Sequence, residues 1–169
     1  LWRMNRRRLD IEAWRDSMLH ASGELDTTLG GPSLQLGSKN NNRRTIYGFV
    51  SRHRLDELLR LFDFPDPNIT SATRAVTTVP LQQLFVLNSD FMAQRAKALA
   101  VRIEKEASEA LDLRVGYAFE LLYQRPATTD DISLAKAFIA SSGEEKTGLT
   151  PWEQYMLALL AANEFMYVD

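Results

Sequence analysis

Cysteine is absent from the 169 residues. Disulfides, thiolate metal sites, covalent c-type haem attachment and cysteine nucleophiles are therefore excluded within the chain. Histidine occurs only at His20 and His53, two imidazoles too far apart for a recognised zinc spacing, so no metal ligand is assigned. The longest apolar run, Met156 to Ala162, is far short of the roughly 20 residues that a membrane-spanning helix needs. No initiator methionine precedes Leu1-Trp2 and no signal-like stretch follows. The chain thus reads as a piece of a longer protein, with any targeting segment upstream.

What is present suits a helical domain. Apolar residues make up 45% of the chain and the net charge is −2, enough to bury one core and too little positive charge for a general nucleic-acid binder. The charge is unevenly spread: residues 1–74 hold 12 Lys+Arg and 9 Asp+Glu, and residues 75–169 hold 8 and 13. Opposite signs in one chain favour internal pairing. Lysine is scarce, 5 against 15 arginines, and arginine is the cation suited to bidentate pairing with carboxylates.

Periodicity predicts a first helix over about Met4–Ala21, ended by Gly23, with Ile11, Trp14, Met18 and Ala21 as its core stripe. Residues 23–44 form a long loop rich in Gly, Ser and Asn, with an exposed tip at Ser38–Asn42, and 45–50 (TIYGFV) is at most a short extended segment weakened by Gly48. A short helix covers Leu55–Phe62, and irregular chain follows to Thr77. Thr78-Val-Pro80 opens a helix running to about Ala107, which Asn88-Ser89-Asp90 is able to interrupt. Further helices are read at Glu109–Gln124, at Asp130–Ser141 after a Thr128/Asp131 capping box and stopped by Gly143, and from the Thr150-Pro-Trp-Glu153 box to about Met166. The fold class is all-α: one multi-helix domain over 1–169 with long irregular loops, expected to be the C-terminal portion of a longer domain.

The first helix carries a second face of mixed character. Arg8, Leu9, Glu12, Arg15, Asp16 and Leu19 share an arc of about 120°. Glu12 and Asp16, one turn apart, have the spacing of an acid/base pair or of metal ligands. Arg8 and Arg15 would instead hold both carboxylates ionised. Arg8, Glu12, Arg15 and Asp16 are therefore read as a half-buried polar network, with Arg8–Glu12 and Glu12–Arg15 within reach along the helix. Arg3, Arg6, Arg7 and Arg8 sit among acids without interleaved aromatics, so no nucleic-acid partner is expected.

GGPS at Gly30–Ser33 lacks the Lys-Ser/Thr of a phosphate loop and reads as a turn. Ser33 and Ser51 have no nucleophile motif, and the sequon at Asn68-Ile-Thr70 reads as chance. Arg74, Gln82 and Asn88 lie on or before an apolar helix and need partners, since an unsatisfied buried polar group costs about 1–3 kcal/mol. They either satisfy one another and loop carbonyls, or line a ligand cleft with Arg44, Tyr47 and Arg52 suited to anionic or sugar-like ligands.

In order, RMNRRRLDIEAWRDSML, GGPS, RRTIYGFVSR, FDFPDPN, RAVTTVPLQQLFVLNSDFM, YQRPATTDD and LLAANEFMYVD resemble the bacterial domain of unknown function numbered 1553, found mainly in planctomycetes. The resemblance implies an exported or periplasmic multidomain protein, often with a cytochrome-c-like domain nearer its N-terminus. It implies no reaction. Some relatives carry Cys shortly before the position of Arg74, where Ser71 and Ala72 stand here, so a thiol-dependent role would not transfer; many have Ala in place of Gln83. The expectation is a noncatalytic structural or ligand-binding domain, with no cofactor in this chain and haem only in an upstream domain. Its partners would be the upstream domains and a glycan or acidic ligand. The alternative is part of a hydrolase or redox enzyme whose catalytic or haem groups lie upstream.

Overall fold

The computed structural model describes residues 5–38, 41–141 and 148–168. The fold is all-α with one minimal sheet. Its elements are β1 (Arg7–Arg8), α1 (Ile11–Ala21), α2 (Glu57–Leu61), α3 (Pro80–Asn88), α4 (Asp90–Glu106), α5 (Leu111–Tyr123), α6 (Thr129–Ser141), α7 (Pro151–Ala161), α8 (Asn163–Met166) and β2 (Tyr167–Val168).

The core is centred on α4, whose Met92, Ala96, Leu99, Ala100 and Ile103 recur at helical spacing and are buried. This stripe packs most closely on α7, which buries Tyr155, Met156, Leu159 and Leu160. The expected stripe of α1 (Ile11, Trp14, Met18 and Ala21) is buried too, and so is Leu19 on the mixed face. Trp14 meets Phe62 at 4.8 Å between ring centroids, and Phe62 meets Phe85 edge-on at 5.7 Å. These rings join α1, the end of α2 and α3 through aromatic contact, worth about 0.5–1.5 kcal/mol per pair beyond area.

The first helix is shorter than its periodicity predicts. Arg7 and Arg8 pair antiparallel with Val168 and Tyr167, and the Leu9 N–H donates to Met166 O at 2.8 Å. With these backbone groups drawn into strand pairing, helix begins only after Asp10; the expected start at Met4 lies outside the described residues, as does the stop at Gly143. At 45–50 the chain makes a 3₁₀ turn (Thr45–Tyr47), and the bond from Phe49 N to Leu34 O (2.8 Å) holds the following residues extended against the loop.

Helix boundaries elsewhere follow local chemistry. Ser89 splits the expected long helix: its hydroxyl accepts from Met92 N–H and caps α4. Val79, not Thr78, caps α3, because Pro80 takes the first helical position and holds its predecessor extended. Thr150 and Glu153 form a reciprocal capping box on α7. Thr128 and Asp131 form the same kind of box at the start of α6, Asp131 accepting from Thr128 N and Oγ1 while the Thr128 hydroxyl accepts from Asp131 N–H.

Candidate functional site: a cleft over two buried guanidinium groups

The irregular chain at 22–38, 41–56 and 62–79 folds back on α1, and polar residues of that helix, with Arg8 just before it, hold it there. Arg8 lies on β1 just before the helix. Its guanidinium reaches Asp63 Oδ2 at 2.6 Å and the Thr77 carbonyl at 2.5 Å. Asp63 also accepts from the backbone N–H and hydroxyl of Thr77, at 2.9 and 2.7 Å. Gln82, buried beside them, accepts from Arg8 Nη1 and donates to Leu61 O. Glu12 is gripped by Arg74. Asp16 Oδ1 accepts from the backbone N–H and hydroxyl of Thr45, at 2.7 and 2.6 Å.

The polar groups of the mixed face are therefore partnered, but the pairing runs across the fold, not along the helix. Arg8 joins Asp63 in place of Glu12, and Glu12 joins Arg74 in place of Arg15. The reason is geometric: Arg8 is in a strand, outside helical i,i+4 spacing, and Arg15 points the other way, into the loop at 41–45.

The six residues expected to line a ligand cleft do not converge. Arg44 lies 3.8 Å from Asp16. The Tyr47 hydroxyl accepts from Gly30 N–H at 2.9 Å, and Arg43 stacks over the Tyr47 ring at 3.9 Å. Arg43 also donates to the carbonyls of Thr28, Gly30 and Pro32, so it organises the GGPS turn. Arg52 is exposed, its carbonyl accepting from Asn68. Arg74 holds Glu12, Gln82 is buried in the Arg8 cluster, and Asn88 donates to Leu84 O on its own helix.

A cleft of about 690 Å³ opens between residues 35–38 and 41–58 and the α3–α4 junction, and none of those six residues lines it. Its floor carries Arg15, Arg95, Asn41 and Phe91; Phe49, Arg54, Glu57, Asp90 and Gln94 stand exposed around the rim. Arg15 is 1% exposed and Arg95 5%. Both guanidinium carbons lie within 6 Å of the Phe91 ring centroid, at 5.6 and 5.2 Å, a cation–π distance.

The two cations are held differently. Arg15 donates to Arg43 O (3.0 Å), Thr45 Oγ1 (3.1 Å) and Asn41 O (2.5 Å), and its nearest carboxylate oxygen, on Asp16, is 4.0 Å away. Arg95 donates to Asn42 Oδ1 at 3.2 Å and lies 3.1 Å from Glu24 Oε2, close enough for an ion pair although the N–H is not aligned for a hydrogen bond. The Nε–H groups of both arginines are buried without an acceptor among the described residues. Burial pushes the pKa of each down; the Arg95 charge lowers Arg15 further, while Asp16 and Asp56 oppose that fall, as Glu24 does for Arg95. Guanidinium remains protonated under such pressure, so the cleft floor is a place where positive charge is held at a cost.

Away from the cleft, the carboxyls of Glu12 and Asp63 are displaced downward. Burial raises Glu12 and Asp63, but hydrogen bonds outweigh it: Arg74 lowers Glu12, and Thr77 with Arg8 lowers Asp63. This favours permanent ions over proton donors.

Arg95 escapes sequence reasoning because it occupies a core position, between Met92 and Leu99 on the buried stripe of α4. A cation placed there was the available signal. Asn41, Asn42 and Phe91 carry none without the loop's path.

Neither the curated proteins nor the solved structures yield a match to this chain. A family model matches residues 1–139, a span that includes the cleft and the polar anchors Arg8, Glu12 and Asp16. On that match the chain belongs to the family described as "Protein of unknown function (DUF1553)".

Proposed function

We propose that this chain is a noncatalytic ligand-binding domain of an exported, multidomain bacterial protein, and that the cleft over Phe91 receives an anionic or sugar-like ligand. The observation that carries the reading is the cleft itself: a large concavity with aromatic side chains on its floor and rim and convergent polar groups between them, the composition typical of small-molecule sites. Phe49, 43% exposed, offers a face for a sugar ring, and Gln94, Asp90 and Glu57 offer acceptors for hydroxyls. The downward displacement of Glu12, Asp63 and Asp131 suits structural ion pairs and supports a noncatalytic role. The export and multidomain parts of the proposal rest on the family resemblance.

A thermal-shift screen of the intact protein against neutral and acidic saccharides tests this. Stabilisation by at least one saccharide, lost in Phe49→Ala, is the expected result. A flat screen together with turnover of a substrate by the full-length protein would replace this reading with an enzymatic one.

A further inference from the structure

Resting on that reading, we infer that the Arg15–Arg95 floor is a subsite for a carboxylate, and that the ligand class is a uronate-type acidic saccharide. Arg15 has five N–H donors and three acceptors among the described residues, all from the 41–45 segment. Its Nε–H is among those left over. Arg95 uses one N–H in an aligned hydrogen bond and turns its Nε toward Glu24 in an ion pair at 3.1 Å. Two planar, buried guanidinium groups with unused donors, both beside Phe91 and lining one cleft, match the flat two-oxygen geometry of a carboxylate.

The distribution of charge selects the ligand further. The lining holds Arg15, Arg54 and Arg95 against Asp56, Glu57 and Asp90, so the formal charges cancel. Their depth does not cancel. Arg15 and Arg95 are buried, whereas Glu57 and Asp90 are exposed and screened by water. Asp56 accepts from Leu58 N–H at 2.9 Å as the cap of α2. An anion at the floor therefore meets the buried charge of Arg15, whose nearest carboxylate oxygen is 4.0 Å away, beside that of Arg95, which Glu24 partly offsets, while the outer part of the same molecule meets hydrogen-bond acceptors. A sugar acid has that polarity: a carboxylate at one end and hydroxyl donors over the rest. A simple anion would leave the rim unused, and a neutral sugar would leave the buried charge of the floor unmatched.

The test is calorimetric titration of the intact protein with oligogalacturonate, with its methyl-esterified form, and with acetate. Oligogalacturonate is expected to bind at least about tenfold more tightly than the ester, the loss anticipated for one charge-assisted contact, and acetate to bind weakly. Equal affinity for acid and ester would overturn the carboxylate subsite while leaving a saccharide-binding domain in place. Binding of neither would overturn both readings, and acetate binding as tightly as the oligomer would overturn the saccharide assignment. Because Arg15→Lys and Arg95→Lys remove donors from a buried site and risk misfolding, the unaltered protein supplies a second readout. The arginine Nε–H resonances of Arg15 and Arg95 are expected to shift on adding oligogalacturonate, while that of Arg125, hydrogen-bonded to Glu164, stays in place; no shift in either floor residue would also overturn the inference.

Discussion

Arg74 clasps Glu12 with both terminal nitrogens, Nη1 to Oε2 at 2.6 Å and Nη2 to Oε1 at 2.7 Å, across 62 positions of sequence. The pair pins the irregular 62–79 segment to the first turn of α1, and Arg74 also lies 5.3 Å from the Phe64 ring centroid. Because both side chains are partly exposed, the fork contributes on the scale of a well-formed surface pair, about 1 kcal/mol. Arg74→Lys keeps the charge but cannot reproduce two parallel bonds. Its expected loss in urea denaturation is nearly that of Arg74→Ala, and a double-mutant cycle with Glu12→Gln should return a coupling of about 1 kcal/mol. A Lys variant as stable as the parent would show that charge alone suffices.

Asp63 combines two demands that few residues meet. Its backbone is left-handed, φ 61°, and its carboxylate holds Arg8 together with Thr77. Asp and Asn tolerate that conformation better than other side chains do. The Arg8–Asp63 pair is mostly buried, with side-chain exposures of 8% and 13%. Removing one partner leaves a buried charge, so Asp63→Ala should cost about 3 kcal/mol. Asp63→Asn retains an acceptor for Thr77 and the backbone preference. It should cost less, and the order of the two melting temperatures checks the claim; equal losses would place the whole effect in the charge.

How far the sequence discloses this arrangement depends on the range of the interaction. The Thr150–Glu153 and Thr128–Asp131 caps are legible because each is closed within four residues. The stripe of Ile11, Trp14, Met18 and Ala21 is legible because a helix repeats every 3.6 residues. The start of α1 is not, since β2, at the opposite end of the chain, decides it. Nor are the partners of Arg8 and Glu12, which lie 55 and 62 positions away. The large cleft is the extreme case: Arg15 comes from α1, Asn41 and Phe49 from a loop, and Arg95 from α4. Asn88, conspicuous in the sequence, turns out to be satisfied one turn away on its own helix, and Tyr47 by Gly30, 17 positions away.

Acid should loosen the anchors before it touches the core. Glu12 and Asp63 titrate below their ordinary values of 4.5 and 3.8, so the folded state binds their protons less readily than the unfolded chain does. Their contribution is complete above those unfolded values and is lost as pH falls through the folded ones. Melting temperature should therefore decline from about pH 5 downward, and Glu12→Gln should start lower at neutral pH and decline less steeply. A parallel decline in parent and variant would assign the acid sensitivity to other carboxylates.

Gly48 stands where two segments press together. A Cβ there would sit 2.7 Å from Leu36 Cδ2 and 2.9 Å from the Thr45 carbonyl oxygen. The leucine is buried but able to rotate; the carbonyl is not, because it accepts from Gly48 N–H at 2.8 Å to close the 3₁₀ turn. Gly48→Ala must therefore shift backbone, costing about 1–3 kcal/mol as overpacking does, or a few degrees in melting temperature for each kcal/mol at this chain length. Gly37, on the same loop, has nothing within 4 Å of a built Cβ, so Gly37→Ala should be neutral or slightly stabilising. Because Leu36 and Phe49 line the cleft, the Gly48 change should also weaken saccharide binding. If both variants melt and bind like the parent, the loop does not close on α1 in the way these contacts require.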